Sequence, residues 1–259
     1  VPDISVTALV LLCLAALLAG WIDAVVGGGG LLLLPALLLG VPNVPAAQCL
    51  GTNKAVSIVG TTGAALTYVR RARVPVGTAV RVGLAALAGS MGGAFFAAGL
   101  SSDVLRPVIL VVLLCVAAFV LLRPSFGTGP APEGPVRRAR VVTAVVLVGG
   151  GLGLYDGLIG PGTGTFLVLA LTAVLHLDLV TASATAKVVN VCTNAGALAM
   201  FAYQGNVMWR LAVLMAVFNL AGGMLGARMA LRRGAEFVRG VLLVVVFSLV
   251  AKLAFDQWA

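Results

Sequence analysis

Two aspartates and two lysines stand inside long apolar stretches of this chain, and each is embedded in an unusual set of neighbours. Asp23 is followed by Gly27-Gly28-Gly29-Gly30, and Asp156 by Gly160-Pro161-Gly162-Thr163-Gly164. Lys54 closes Gly51-Thr52-Asn53-Lys54, and Lys187 follows Thr185. An ionisable group within an apolar segment is costly, and it marks a functional site by default. Four successive glycines, or Gly-Pro-Gly, do not continue an ordinary helix, so the helix must break at both tracts. Each helix that restarts, at Leu31 and at about Thr165, offers unpaired N–H groups and the positive end of its dipole. Two such ends facing one another make an anion site. Its ligands are the amides of Gly28, Gly29, Gly30 and Leu31 and of Gly162, Thr163, Gly164 and Thr165. Thr52, Asn53, Thr163 and Thr165 add hydroxyl or amide donors, and Lys54 and Lys187 balance charge.

Lys54, Ser57 and Thr61 fall at i, i+3 and i+7, on one helix face, and Lys187, Asn190 and Asn194 repeat that spacing. Two polar stripes are therefore expected to face each other. Lys54 lies close to a loop, where a lysine either snorkels to the surface or contacts substrate; Lys187 is expected in the interior. Lys54 is the expected partner of Asp23, and Lys187 of Asp156, each within its own half of the chain. If those pairs form, the site keeps its dipoles and loses formal charge. If they do not, a buried carboxylate could carry the proton that drives transport, and a structural ion pair or cap at the break is the other role for Asp23 and Asp156. Cys13, Cys49, Cys115 and Cys192 show no CxxC or Cys/His spacing, so no zinc site, disulfide framework or other metal is expected, and no cofactor. His176 has Asn43 as its counterpart and reads as structural.

The elements that must hold these groups come in duplicate. Gly20 to Gly27 reappears as Gly153 to Gly160, an offset of 133 residues, and the register then holds: Thr52 meets Thr185, Lys54 meets Lys187, Gly63 meets Gly196, Gly89 meets Gly222 and Arg106 meets Arg239. With 61% hydrophobic residues, 10% charged and a mean hydropathy of +1.14, the two copies are halves of a membrane protein. No run alternates with the period of a barrel strand, so the expected fold is an all-α polytopic bundle. Five apolar segments are read in each half, approximately 4–26, 30–41, 52–69, 76–99 and 104–122, then 139–159, 163–177, 184–203, 208–231 and 237–255. Residues 1–122 form the first repeat, 123–138 a Pro/Gly-rich cytoplasmic linker, and 139–259 the second repeat. The first run lacks a basic n-region and has a copy in the second half, so it belongs to the fold and is not a signal peptide.

The net charge of +9 gathers in short loops, which is a signature of topology and not of nucleic-acid binding. Arg70, Arg71 and Arg73 follow the third segment of the first half, whereas in the second half Arg228, Arg232, Arg233 and Arg239 follow the fourth. The bias moves by one loop, as it must if an odd number of crossings inserts the copies upside down relative to each other. Both arginine clusters and the linker are then cytoplasmic and both termini outside. The short second segments cannot cross as helix alone; they cross with extended backbone or double back as re-entrant hairpins, and either choice leaves an odd count. Four crossings per half would instead make the repeats parallel and put the second arginine cluster outside. Gly89 to Gly93 and Gly222 to Gly226 present small-residue faces suited to close helix contacts, within one chain or in a homodimer.

At the level of motifs the chain resembles the TauE/SafE family of sulfite exporters, the TSUP permeases. The likeness rests on Asp23 with Gly27 to Gly30 and Pro35, on Gly51-Thr52-Asn53-Lys54, and on Asp156, Gly160, Gly162 to Thr165, Lys187, Asn190 and Asn194. The resemblance implies a permease of the bacterial inner membrane that moves sulfite, organosulfonates or related sulfur oxyanions, coupled to the proton gradient. The residues point the same way: a secondary transporter, not an enzyme, with a small anion and the lipid bilayer as partners and no nucleic acid. Two other classes use the same groups. An intramembrane aspartyl hydrolase would need Asp23 and Asp156 to share a proton, which a lysine beside each opposes. An anion channel or a cation carrier would need flux that follows voltage, or carboxylates better suited to a metal.

Overall fold

The computed structural model describes residues 5–72, 74–101, 103, 104 and 138–258. The fifth segment of the first half and nearly all of the linker lie outside the described residues. Within them the chain is helical, without strands: α1 Val6–Val26, α2 Gly30–Gly40, α3 Ala46–Val69, α4 Val76–Gly99, α5 Arg138–Leu158, α6 Thr163–Leu175, α7 Leu179–Tyr203 and α8 Trp209–Trp258. α5 opens into wide turns over Ala144–Gly151, and α8 bends at Gly234, where φ is 72°. That bend falls between the two final segments expected from sequence.

Four of these helices are long and apolar enough to cross a membrane: Val6–Val26, Val76–Gly99, Arg138–Leu158 and Trp209–Gly234. Their outward faces carry exposed Leu11, Leu14 and Leu18 on α1, Leu84 and Phe96 on α4, Val146 and Leu147 on α5, and Val213 and Val217 on α8. So much exposed apolar surface is stable only against lipid. α3 and α7, the polar pair, lie enclosed between them, with Thr52, Asn53, Lys54, Thr185, Lys187, Asn190 and Asn194 all buried.

Both third segments start a full turn earlier than their apolar patterns do, because Pro45 and Asp178 stand at the N-caps of α3 and α7. Thr52, Asn53 and Lys54 are therefore well inside a helix. Lys54 is only 2% exposed, which removes the snorkelling alternative.

Glycines set how closely the helices approach. Gly222 and Gly226 of α8 lie on the backbone of Leu17 and Trp21 of α1, so α1 and α8 run side by side in the same direction. In the same manner Gly149, Gly153 and Gly157 of α5 lie on Val82, Ala86 and Ser90 of α4. Thus the first helix of each half packs on the fourth of the other. α2 doubles back along α1, since Gly29 sits against Ala19 and Gly40 against Leu12. The short second segment of the first half is re-entrant, and its 11 residues, about 16 Å by helical rise, end beside the helix they left. In the second half, Leu167, Leu171 and Leu175 of α6 share a core with Ala144 and Val148 of α5.

Candidate functional site

α1 leaves the helix at Gly27, whose φ of 82° closes a left-handed cap with its N–H donating to the Asp23 carbonyl. The second half breaks at Gly160 and Gly162, with φ of 90° and 82°. These tips interlock. A Cβ on Gly164 would fall 2.5 Å from Gly27 Cα, so two glycine backbones touch where side chains would hold the halves apart. Thr165 N donates to the Gly27 carbonyl at 3.2 Å, and its hydroxyl to the Val26 carbonyl at 2.8 Å. Gly30, at the start of α2, lies against Pro161.

Because each broken tip leans across to the other half, each aspartate meets the lysine of the opposite half. Lys54 Nζ is 2.7 Å from Asp156 Oδ2, and Lys187 Nζ is 3.0 Å from Asp23 Oδ2. The pairing expected from sequence, Asp23 with Lys54 and Asp156 with Lys187, is thereby corrected. Linear proximity within a half was a poor guide once the glycines let the two tips cross.

A small cavity of about 20 Å³ lies among these groups, with room for about one water molecule. It is lined by both acids, by Lys54, by the polar stripe residues Ser57, Thr61, Asn190 and Asn194, by Asn53, and by the glycine tips at Gly30, Gly162, Thr163 and Gly164. Both restarting helices therefore point their N-termini at one space. The amides of Gly30 and Gly164 donate to no acceptor among the described residues. Asn53 is buried and its Oδ1 accepts no hydrogen bond.

The other expected ligands are engaged elsewhere. Leu31 N donates to the Gly28 carbonyl and Thr163 N to the Gly160 carbonyl. The Thr163 hydroxyl also donates to the Gly160 carbonyl, and the Thr52 hydroxyl accepts from Met208 N, pinning α8 to α3. Gly28 lies against Leu31 and Ile22, and Gly29 is buried against Ala19 and Asp23, where it lets α2 fold back. Lys187 reaches the site through Asp23. Thr61 donates to Asp23 Oδ2 at 3.3 Å, and Asn194 Nδ2 donates to Thr61 at 3.5 Å across an offset of 133 residues. The two stripes thus meet through residues that are each other's counterparts.

Sequence patterns did not expose Asn219, which is buried between Gly20 and Gly60 and donates to the Ala16 carbonyl at 2.8 Å. Its counterpart in the first half is Ala86, so the repeat gave no signal there. His176 occupies left-handed backbone, φ 53°, at the end of α6; it is a structural position, as expected.

Residues 12–253 match the family described as sulfite exporter TauE/SafE. The chain belongs to that family. It is 32% identical to the probable membrane transporter protein ORF9 of a Sinorhizobium species, over 98% of this chain and 95% of that protein. It is 33% identical to the probable membrane transporter protein YfcA of Escherichia coli K12, over 93% and 88% respectively. A probable membrane transporter protein of Haemophilus influenzae is 31% identical over 98% of both chains. No solved structure matches. As a TauE/SafE family member, the chain carries its crosswise ion pairs and the residues of its cavity inside the matched region.

Proposed function

We propose that this chain is a multi-pass secondary transporter of the bacterial cytoplasmic membrane that moves small sulfur-containing oxyanions, sulfite and organosulfonates foremost, in a proton-coupled manner. The observation that carries this reading is the meeting of two helix N-termini, with the free amides of Gly30 and Gly164, at a cavity that also contains Lys54. Amide groups aimed at one point, with a nearby ammonium, suit a compact anion rich in oxygen acceptors. The family name and the transporter names of the relatives support the substrate class and the activity.

Repeats 1–122 and 139–259, joined by the linker 123–138, are taken to be oppositely oriented. In support, α1 packs alongside α8 and α4 alongside α5, while the start of α3 and the end of α4 both lie near the turn at Gln204 to Asn206. α3 and α4 therefore run in opposite directions, and so do α1 and α5. The arginines at the end of α3 and along α8 support a cytoplasmic position for that end. A cavity of about 20 Å³ is smaller than sulfite requires, so loading must separate the two halves, and rocking of one half against the other provides alternating access. An aspartyl hydrolase is disfavoured, because Asp23 and Asp156 each face a lysine and do not form a dyad sharing one proton.

The test is sulfite uptake and binding by purified protein in proteoliposomes, with Lys187→Ala and Lys54→Ala alongside. Saturable flux that responds to an imposed pH gradient, lost in both variants, is expected. Flux that follows voltage alone would replace the carrier with a channel.

A further inference from the structure

The buried site is already filled with charge of both signs. Lys54 and Lys187 are each matched by one carboxylate, so the formal charge of the four groups is zero. Bringing a further anion into this enclosure would leave an uncompensated negative charge in a poorly solvated space, which is strongly unfavourable. Each carboxylate already holds the ammonium that an oxyanion would seek, and both line the same cavity as Gly30 and Gly164.

We infer that Asp23 and Asp156 are built-in surrogates of the transported oxyanion, and that substrate loads by displacing a carboxylate from its lysine while the displaced carboxylate takes up one proton. This rests on the oxyanion-transporter reading above and adds the means of coupling. The step balances simply: one O–H bond forms on the aspartate with a proton delivered from bulk solution (hydronium) as the anion enters, the lysine stays an ammonium, and the neutrality of the site is kept. A monoanion exchanges with one carboxylate and brings one proton; a dianion exchanges with both. Anion and proton therefore travel together, in the same direction.

Asp23 is the first to exchange. Its side chain is 17% exposed, against 3% for Asp156, so Asp23 is the more accessible of the two carboxylates. The titratable groups facing Asp23 are Lys187 from α7 and Tyr68 from α3, whose hydroxyl donates to the Ala24 carbonyl. α2 and α6 contain no titratable residue, and on α8 Arg210, Arg228, Arg232 and Arg233 are exposed. Asp156 faces Lys54 of α3; Arg81 of α4 is exposed, and Lys187 of α7 is held by Asp23.

The experiment is proton uptake on mixing sulfite with wild type and Asp23→Asn in weak buffer, read with a pH indicator. The difference between the two cancels the ionisation of sulfite itself. About one more proton per bound anion is expected in wild type, and the affinity of Asp23→Asn should lose about tenfold of dependence per pH unit, the slope of one linked proton. Asp156→Asn, which keeps Asp23, should take up the proton of a monoanion as wild type does, and should Asp23→Asn fail to fold, wild type alone carries the test. Methanesulfonate, which stays a monoanion throughout, gives the uptake on wild type alone. Equal uptake in wild type and both variants, or binding of methanesulfonate without a proton, overturns the inference and leaves the transporter reading standing. If no oxyanion binds wild type, the transporter reading itself falls, and this inference with it.

Discussion

The two ion pairs come from duplicated sequence, yet they are not alike. Lys54 and Asp156 form the shorter contact, 2.7 Å with both side chains no more than 3% exposed, yet Asp156 Oδ2 accepts no hydrogen bond. Lys187 and Asp23 sit at 3.0 Å, and Asp23 Oδ2 is shared with Thr61, which in turn accepts from Asn194. Asn194 is the counterpart of Thr61, and it turns to Thr61 instead of to Asp156. One pair is almost fully enclosed and the other is hydrogen-bonded and partly exposed. The duplicated sequences therefore hold their ion pairs in two different local arrangements.

The comparison breaks most completely if the tips cannot interlock. Gly27→Val or Gly164→Val would drive a side chain into the facing glycine backbone, and at Gly27 into disallowed φ as well. A loss of about 3 kcal/mol or more is expected, seen as failure to recover a monodisperse protein in detergent, whereas Gly77→Ala, which meets nothing, should be close to neutral. A stable Gly164→Val protein would mean that the tips do not touch.

Next in size are the lysines. Removing one partner of a buried pair leaves an uncompensated charge and costs about 3–5 kcal/mol. Lys54→Met should sit at the upper end because Asp156 is the more deeply buried carboxylate, and Lys187→Met at the lower end because Asp23 is partly exposed. Thermal unfolding of both variants in one detergent checks the order, and Lys54→Met with Asp156→Leu should recover most of the loss. The reverse order would erase the distinction between an enclosed and an accessible pair. Thr61→Val touches only the accessible pair and should cost about 1–2 kcal/mol, for the bond it donates to Asp23 and the one it accepts from Asn194.

Much of this was legible in the residues. The all-α bundle followed from apolar run lengths, and the helix ends at Gly27 and Gly162 from glycine's tolerance of positive φ. The polar stripes followed from the spacing of Lys54, Ser57 and Thr61. Partner choice was not legible, since it depends on which helix of one half lies against which of the other. Gly222 on Leu17 and Gly153 on Ala86 decide that, and glycine spacing announces close packing without naming the partner. Nor could the sequence show that the hydroxyls of Thr52 and Thr165 are spent on Met208 N and the Val26 carbonyl. A threonine's acceptor is a tertiary fact.

The smallest effect separates the halves outside the membrane. α7 begins at Asp178, whose carboxylate accepts from Val180 N and Thr181 N at 3.0 Å, whereas α3 begins at its counterpart Pro45, with no side-chain cap. Partial burial pushes the Asp178 carboxyl up, but hydrogen bonds from Thr181 and Val180 outweigh it and hold it below the usual carboxylate range. A lowered folded value means that the cap's contribution is complete above the unfolded carboxylate pKa and is lost as pH falls through the lower folded one. Asp178→Ala should therefore cost about 1 kcal/mol near neutral pH. Its penalty should hold from roughly pH 7 to pH 5 and shrink as unfolding is repeated below about pH 4, down to roughly pH 2, since the folded carboxyl titrates below the ordinary value of about 3.9. A penalty that stays constant over that range would show that the cap acts through packing, and the start of α7 would then be no more acid-sensitive than that of α3.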